Sequence, residues 1–205
     1  KIGNKYSIIH NGVSNKNCKK IFLFNSDNHK VKHKIKVISV ARFVSQKNIK
    51  EILKIASILP GIKFEILGSG PLWSEINEEI KELNLKNVHL IGLSRNVFKY
   101  LQNADIYLST SLYEGLPISV IEAMSLGLPI IASKVIGNID TIEHKKSGFL
   151  YELGNIRMAS KFIKLLADDI KLRIFMSENS YLRQKKFFTL DRMVHKHLEI
   201  YNSLI

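Results

Sequence analysis

The sequence predicts an α/β fold in which a parallel β-sheet carries helices on both faces. Short apolar segments with strand character alternate along the chain with longer segments whose apolar residues recur at helical spacing. Polar or glycine-containing turns follow the strand segments. Alternation of this kind requires crossover connections, which are right-handed and make the strands parallel.

The predicted elements repeat one strand and helix unit. The first strand covers residues 36–41, and the next helix covers 49–59, where Ile52, Ile55 and Leu59 share one face before Pro60 ends it. The remaining strands are predicted at 63–67, 88–91, 105–108 and 129–132, and the helices between them at 72–83, 97–101 and 119–125. A short strand at 7–9 precedes this series, and helices at 156–167, 170–186 and 193–201 follow it.

Composition favours one globular domain, residues 1–205, with phosphate-bearing partners. Hydrophobic residues make up 45% of the 205 positions, which is enough for one sizeable core. There is no apolar run of the roughly 18 residues that a membrane span needs. The lone Cys18 excludes an internal disulfide, so a cytoplasmic location is expected. The net charge of +13 is spread over scattered lysines without a nucleic-acid-binding motif, so no nucleic-acid partner is expected.

Charged residues and glycines follow the predicted strands, at the ends that should form one edge of the sheet. Ligands of such sheets bind at this edge, near the point where the strand order switches. The sequence therefore predicts one binding site from several separate turns. The residues placed there are Arg42, Lys47, Gly68, Gly70, Gly92 and Glu114.

Two glutamates bracket the segment Glu-Gly-Leu-Pro-Ile-Ser-Val-Ile-Glu, which leads into a helix. Pro117 pre-sets the helix entry, and the free N–H groups of the first turn attract an anion such as a diphosphate. Glu122, one turn inside, is placed to accept hydrogen bonds from a vicinal diol, and Glu114 to reach a different hydroxyl-bearing ring. Glutamate is also common at a helix N-terminus because of the helix dipole, so the pattern alone leaves a structural role open.

The glycine pair Gly68 and Gly70 does not complete a dinucleotide-binding fingerprint. The pattern G-x-G-x-x-G needs a third glycine where this chain has Trp73, and the acidic residue expected about 20 positions later is not suitably placed. A tight turn before a helix explains the pair and still leaves room for a nucleotide against the loop. No nicotinamide or flavin cofactor is expected.

Six blocks of residues resemble, in order, the donor-binding domain of GT-B glycosyltransferases, specifically the large retaining family 4. The blocks lie at 8–13, 40–47, 65–71, 88–92, 104–111 and 114–129. They cover nearly the whole chain and imply that it forms one Rossmann-like half of a GT-B fold. Three positions depart from the family pattern. Ala41 and Asn48 stand where the family usually has glycines, and residues 136–140 replace a Gly-Gly-x-x-Glu block.

The resemblance implies a role for each motif residue. Arg42 and Lys47 would bind the diphosphate, where two cations stabilise a leaving group that accumulates negative charge. Glu122 would bind the ribose, and Glu114 would position the transferred sugar. The backbone around the sugar and the base would be that of Gly115, Leu116, Pro117, Ile118, Gly68, Gly70 and Gly92.

The implied reaction transfers a hexosyl group from a nucleotide diphosphate to an acceptor hydroxyl, with retention at the anomeric carbon. Bacterial polysaccharide or lipopolysaccharide synthesis is the expected setting, and a UDP-sugar is the favoured donor because such donors are frequent in the family. Neither a metal nor a cofactor is expected, since Arg42, Lys47 and a helix N-terminus would take the metal's place.

The resemblance also places the acceptor site on an N-terminal half that lies outside this chain. Residues 1–20 would be the junction between the halves, and 187–205 the terminal helix that crosses back to the other half. Alone, the chain is expected to hold a donor but to transfer slowly or not at all. Its expected partners are the nucleotide sugar, the acceptor half and an anionic membrane surface.

Three hypotheses about function and two arrangements of the terminal helix stay open at this point. The chain is either the donor half of an enzyme or a non-catalytic module that binds nucleotide sugars or pairs with a partner. A charge-driven binder of nucleic acid or membranes is the third hypothesis. The apolar face of the terminal helix is either exposed or folded onto its own domain. That face carries Met193, Leu198, Ile200 and Tyr201.

Overall fold

The computed structural model describes residues 7–14 and 34–203, with a six-stranded sheet at its centre. The strands are β1 (Lys36–Val40), β2 (Lys63–Leu67), β3 (Val88–Gly92), β4 (Ile106–Ser109), β5 (Ile130–Ser133) and β6 (Gly148–Tyr151). All neighbours are parallel, in the order β3-β2-β1-β4-β5-β6. The predicted α/β class is confirmed, and the strand order switches direction between β1 and β4.

Eight helices in the described part of the chain surround this sheet. They are α1 (Ile49–Ile58), α2 (Trp73–Glu82), α3 (Val97–Gln102), α4 (Ile118–Ser125), α5 (Ile136–Thr141), α6 (Ile156–Asp168), α7 (Ile170–Phe187) and α8 (Leu190–Asn202). α1, α2 and α6 contribute to the core on one face, and α3 and α4 to the core on the other. The prediction of helices on both faces is therefore confirmed.

Side chains of the strands alternate between these two cores. Val37 joins the core under α1 and α6, whereas its neighbour Ile38 joins the core under α3 and α4. Ile131 and Ile130 divide in the same way. Because both faces are covered, the strands are nearly continuous apolar runs, as is usual in parallel sheets.

Three sequence-based predictions of elements differ from the structure. The short strand predicted at 7–9 is wrong, because the described segment 7–14 contains only an isolated bridge between Val13 and Thr189. The helix α5 and the strand β6 were not predicted. α5 has six residues and contains a glycine and two β-branched isoleucines, which are poor helix formers. β6 is short and begins with Gly148, a residue type that is uncommon in strands, and its pairing with β5 defines it.

The described N-terminal segment meets the chain between α7 and α8. The Val13 N–H donates to the Phe188 carbonyl at 3.0 Å, and the Leu190 N–H donates to the Val13 carbonyl at 3.2 Å. A Cβ added to Gly12 would lie 2.1 Å from the Thr189 carbonyl oxygen, so this approach requires glycine. Residues 1–6 and 15–20 of the predicted junction lie outside the described residues.

α8 leaves its apolar side chains largely uncovered by the described residues. The helix contains no buried residue. Its exposed apolar residues lie at the spacing of one helix face, namely Leu190, Val194, Leu198 and Tyr201. Of the four residues expected on this face, Leu198 and Tyr201 are exposed among the described residues, whereas Met193 and Ile200 are half-buried.

Asn87 lies directly before β3, and its side chain bonds to the end of α1 and to the turn that leads into β2. Its substitution is expected to lower the stability of the fold. Its buried Nδ2 donates to the carbonyls of Ala56, Leu59 and Ile62 at 3.0 to 3.1 Å. Asn87→Ala removes this buried side-chain donor from all three carbonyls, of which those of Ala56 and Leu59 keep a backbone donor, and it is expected to lower the free energy of unfolding by about 1–3 kcal/mol in urea. Asn103→Ala is the matched control, because its exposed amide caps α3 in water, and a comparable loss there would contradict the argument.

Candidate functional site

A cavity of about 780 Å³ opens at the switch point of the sheet. It lies at the carboxyl ends of the central strands, where the turn after β1 faces the loop between β4 and α4. This is the crevice at which ligands of such sheets bind. Its charged lining residues are Arg42, Lys47, Glu114 and Glu122.

Most residues that the sequence placed in one site line this cavity. Besides the four charged residues, these are Gly68, Gly70, Leu116, Pro117 and Ile118. Gly92 and Gly115 are not among the lining residues. Leu93 and Ser94, which follow Gly92, line the cavity instead. Gly115 contributes the backbone against which α5 packs, since a Cβ on Gly137 would lie 2.3 Å from its carbonyl oxygen.

Lys47 and Glu114 form an ion pair inside the site. Lys47 Nζ lies 2.5 Å from Glu114 Oε1, and the side chains are 20% and 8% exposed. Such restricted access to water makes the pair stronger than one at the surface. The pair therefore fixes the two side chains relative to each other, with the cation beside the carboxylate.

Hydrogen bonds hold the turn that carries Lys47 against the chain that leads to Glu114. The Thr110 hydroxyl donates to the carbonyls of Lys47 and Asn48, at 3.0 Å each. The Leu112 N–H donates to the Gln46 carbonyl at 2.8 Å. The two loops that face each other across the site are thus joined by direct bonds, although more than 60 residues separate them along the chain.

The structure accounts for one departure from the family pattern. Asn48, where the family usually has glycine, has the left-handed backbone with φ 48° and ψ 47°. Asparagine tolerates this conformation better than most other side chains, since its short polar group bonds locally. Asn48 therefore preserves the turn that a glycine would make between Lys47 and α1.

The glycines after β2 allow two backbone segments to touch. A Cβ on Gly68 would lie 1.9 Å from the Ala41 carbonyl oxygen, and one on Gly70 would lie 2.6 Å from that of Phe43. The Phe43 N–H donates to the Ser69 carbonyl at 2.9 Å. The turn after β2 is thus sealed onto the turn that carries Arg42, and both line the cavity.

α4 points its N-terminus at the cavity. The first intrahelical bonds run from Val120 and Ile121 to the Pro117 carbonyl, so the N–H groups of Ile118 and Ser119 precede them. Both of these residues line the cavity. A helix N-terminus with free N–H groups attracts an anion.

Glu122 lies one turn inside α4 and is half-buried. Burial raises the pKa of this carboxyl above its ordinary value, because removal of water disfavours the charged form. The described residues offer it no ion pair, in contrast to Glu114. Its oxygens are therefore available as acceptors for a ligand in the cavity.

Sequence reasoning missed two polar residues at the floor of the site. Tyr107 is buried in β4, and its hydroxyl donates to the Val40 carbonyl at 3.2 Å. Burial foremost raises its pKa far above the ordinary value, and Ser119 bonds to the same hydroxyl. Ser119 was readable as the only hydroxyl side chain between the two glutamates, whereas Tyr107 resembles any apolar strand residue in the sequence.

Two features are absent from residues 7–14 and 34–203. Within these ranges, no three side chains of His, Cys, Asp or Glu come together in a group suited to a metal ion. None of the helices there combines the length and the hydropathy needed to cross a membrane.

Comparison with known proteins identifies a family and several relatives. Residues 22–183 match the family model of glycosyl transferases group 1. The poly(ribitol-phosphate) alpha-N-acetylglucosaminyltransferase of Staphylococcus aureus is 33% identical over 171 residues, which are 80% of this chain and 34% of the relative. An Escherichia coli UDP-Gal:alpha-D-GlcNAc-diphosphoundecaprenol alpha-1,3-galactosyltransferase is 30% identical over 151 residues, 73% of this chain and 39% of the relative.

Solved structures share the fold. A mutant of S. aureus TarM, crystallised with fondaparinux, alpha-GlcNAc-glycerol and UDP, superposes with a TM-score of 0.78 at 27% identity, over 96% of this chain and 38% of that one. HepE of Anabaena in complex with UDP-glucose gives 0.83 at 20% identity, over 96% and 57%. The chain thus spans between about a third and somewhat over half of the length of these proteins.

Proposed function

This chain belongs to the glycosyl transferases group 1 family, and from that premise we propose that it binds the nucleotide-diphosphate sugar of a hexosyl transfer. In this proposal it is the C-terminal, donor-binding half of a two-domain GT-B enzyme of family 4. One observation carries the proposal. Arg42 and Lys47, from the connection between β1 and α1, and Glu122, from α4 about 75 residues later, line a single cavity at the switch point of the sheet.

Each charged group has a role that suits its place in the cavity. Arg42 and Lys47 bind the diphosphate together with the N-terminus of α4, and they stabilise the negative charge that grows on it during transfer. Glu122 accepts hydrogen bonds from the ribose diol as a carboxylate. The base lies against the turns that carry Gly68, Gly70 and Leu93, which form the opposite wall.

Glu114 is assigned to the sugar. Its carboxylate orients the hexosyl group and stabilises positive charge on the ring, and the backbone from Gly115 to Ile118 surrounds the same group. The ion pair with Lys47 sets this carboxylate beside the proposed phosphate site before a donor arrives. The leaving phosphate then takes up the acceptor proton, and the anomeric configuration is retained without a metal or cofactor.

A UDP-sugar is the proposed donor, and a growing bacterial glycan the proposed acceptor. UDP or UDP-glucose is present in the TarM and HepE complexes, and the E. coli relative is described as acting with UDP-Gal on a diphosphoundecaprenol-linked sugar. The acceptor site belongs to a partner domain, in cis or in trans. The exposed stripe of α8 and the excess of lysine suit such a partner and a cytoplasmic membrane surface.

Calorimetry on the purified chain tests donor binding. UDP is expected to bind, and Arg42→Ala is expected to weaken it by about 10-fold to 100-fold, since it removes charge-assisted hydrogen bonds to phosphate. Uridine, which lacks the diphosphate, should bind wild type and variant alike. Arg157→Ala is the matched control, because this exposed arginine lies on α6 outside the cavity.

Two results would contradict the proposal. One is equal UDP affinity in the Arg42 and Arg157 variants. The other is no UDP binding, together with steep salt-dependent binding to DNA or anionic vesicles, which would favour a charge-driven binder. UDP binding without transfer, even after an acceptor domain is supplied, would instead indicate a non-catalytic module. Where transfer occurs, NMR of the product's anomeric proton tests retention.

A further inference from the structure

A buried hydrogen-bond network connects β6 to the first turn of α1. The Tyr151 hydroxyl donates to Glu51 Oε1 at 2.8 Å, and Asn48 Nδ2 donates to Glu51 Oε2 at 2.8 Å. Tyr151 is 1% exposed and Glu51 is 6% exposed. One carboxylate, shielded from water, thus joins two residues that are more than 100 positions apart in the sequence.

Burying the Glu51 carboxylate costs free energy, so the hydrogen bonds that compensate for this cost need to be identified. A buried carboxylate is stable only when its oxygens are hydrogen-bonded or paired with a cation. Among the residues that the structure describes, no lysine or arginine forms an ion pair with Glu51, so Tyr151 and Asn48 are its side-chain donors. Burial, and then the charge of Glu51, raise the pKa of Tyr151 well above its ordinary value, so the hydroxyl stays a donor at neutral pH.

The network ends beside the candidate site. Asn48 directly follows Lys47 and has the left-handed backbone, which is strained for a residue other than glycine. Its side chain is held by Glu51, its N–H donates to the Ser45 carbonyl at 3.0 Å, and its carbonyl accepts from Thr110. The direction in which Lys47 leaves this turn therefore depends on the bonds that fix Asn48.

We propose that Tyr151 is a positioning residue for the donor site: through Glu51 and Asn48, its hydroxyl holds Lys47 in the orientation that faces the cavity. The inference rests on the proposed function, in which Lys47 binds the diphosphate. Tyr151 itself is not among the cavity's lining residues. It acts through α1, and the strand that carries it is one of the elements that the sequence did not predict.

A double-mutant cycle separates this role from general support of the fold. Tyr151→Phe removes one hydroxyl and keeps the ring in its place, and Lys47→Met removes the charge and keeps most of the stem. We expect Tyr151→Phe to weaken UDP binding about 3-fold to 30-fold in the wild-type chain and to have no effect when position 47 is already methionine. Uridine affinity should be the same in all four chains.

Ser180→Ala provides the matched control for a lost buried hydroxyl. Ser180 donates to the Leu128 carbonyl at 2.7 Å, between α7 and the turn before β5. Its loss should lower stability without changing UDP affinity. If Tyr151→Phe weakens UDP equally with Lys47 present and absent, or if it leaves UDP binding unchanged, the positioning role is wrong.

Urea unfolding of the same four chains without nucleotide gives a second measurement. A positioning link makes the effects of the two substitutions on the free energy of unfolding non-additive, although their side chains form no direct bond. Additive effects would overturn the inference. If the wild-type chain does not bind UDP, the proposed donor site fails, and the unfolding cycle alone decides whether Tyr151 controls Lys47.

Discussion

Glu122→Gln is expected to make the ligand-free chain more stable at pH 7 and to weaken UDP binding about 10-fold to 100-fold. The weaker binding follows because a carboxylate accepts two charge-assisted hydrogen bonds from a diol, whereas an amide offers one oxygen and opposes the second hydroxyl with a donor. The higher stability follows because the fold holds this carboxyl partly away from water and the described residues form no ion pair with it. The same substitution is thus expected to lower the affinity for UDP and to raise the stability of the fold.

The sign of the stability effect follows from the pKa of Glu122. Burial raises this pKa in the folded chain above the ordinary value that holds in the unfolded chain. The ionised form therefore costs stability above the folded-state pKa, and this cost disappears when the pH falls below the ordinary value. The gain from Glu122→Gln should therefore be present at pH 7, be largest above the folded-state pKa and vanish in acid, as thermal unfolding at several pH values will show.

The affinity for UDP should follow the same group. As the pH falls through the raised pKa, Glu122 takes up a proton and loses acceptor capacity. Wild-type binding should therefore weaken at a higher pH than it would with a glutamate of ordinary pKa. Binding by the Gln variant should lack this step. A variant that is less stable at pH 7, or that keeps the wild-type pH profile of binding, would refute the role given to Glu122.

Glu114→Gln is the matched control, because it makes the same chemical change in the same cavity. Glu114 is paired with Lys47 at 2.5 Å, so its loss leaves a largely buried cation without its anion. This variant should lose about 1–3 kcal/mol of unfolding free energy. The two glutamine variants are therefore expected to move stability in opposite directions, which a general effect of lost charge in the cavity cannot produce.

Among substitutions that add a single methyl group in the site, Gly68→Ala is expected to cause the largest loss of stability. Gly68 has a φ of +135°, which side chains rarely adopt, and a Cβ there would lie 1.9 Å from the Ala41 carbonyl oxygen. The obstacle is backbone in the turn that carries Arg42, and it cannot rotate away. We expect a loss of about 3–5 kcal/mol in urea unfolding, a large share of the stability of an ordinary domain.

Two other glycines separate the clash from the backbone strain. Gly92 has a φ of +82° but nothing within 4 Å of an added Cβ, so alanine there should cost about 1 kcal/mol. Gly61 has neither a positive φ nor a close neighbour, and alanine should change its stability by less than about 0.5 kcal/mol. Equal losses at positions 68 and 92 would show that strain alone accounts for Gly68.

The sequence predicted the central strands and most helices because their signals are local. The helix predicted at 49–59 was found as Ile49–Ile58, and the strand predicted at 63–67 was found unchanged. Both are long enough to show their period, and Pro60 marks the stop between them. β6 has a weaker signal, because it begins with Gly148 directly after a charged turn, and its pairing with β5 defines it as a strand.

The gathering of Arg42, Lys47 and Glu122 was also foreseeable, since parallel strands end at a common edge. The ion pairs and hydrogen bonds between the residues at that edge were not foreseeable. Nothing in the sequence indicates that Lys47 pairs with Glu114, although an asparagine at 48, where the family usually has glycine, is compatible with the left-handed turn found there. Tyr151 lies in an apolar stretch and looks like a core residue until its hydroxyl is seen on Glu51.

The sequence alone determined the α/β class, the order of five of the six strands and of most helices, and the edge of the sheet that carries the charged residues. Hydrophobic periodicity and the glycines and prolines that end elements are patterns of a few neighbouring residues, so they can be recognised in the sequence itself. The tertiary structure decided that Glu114 pairs with Lys47, where backbone excludes a methyl group and which buried groups hold Asn48 beside Lys47. These depend on distances between segments far apart in the chain, and such distances exist only after the strands have paired and the core has packed.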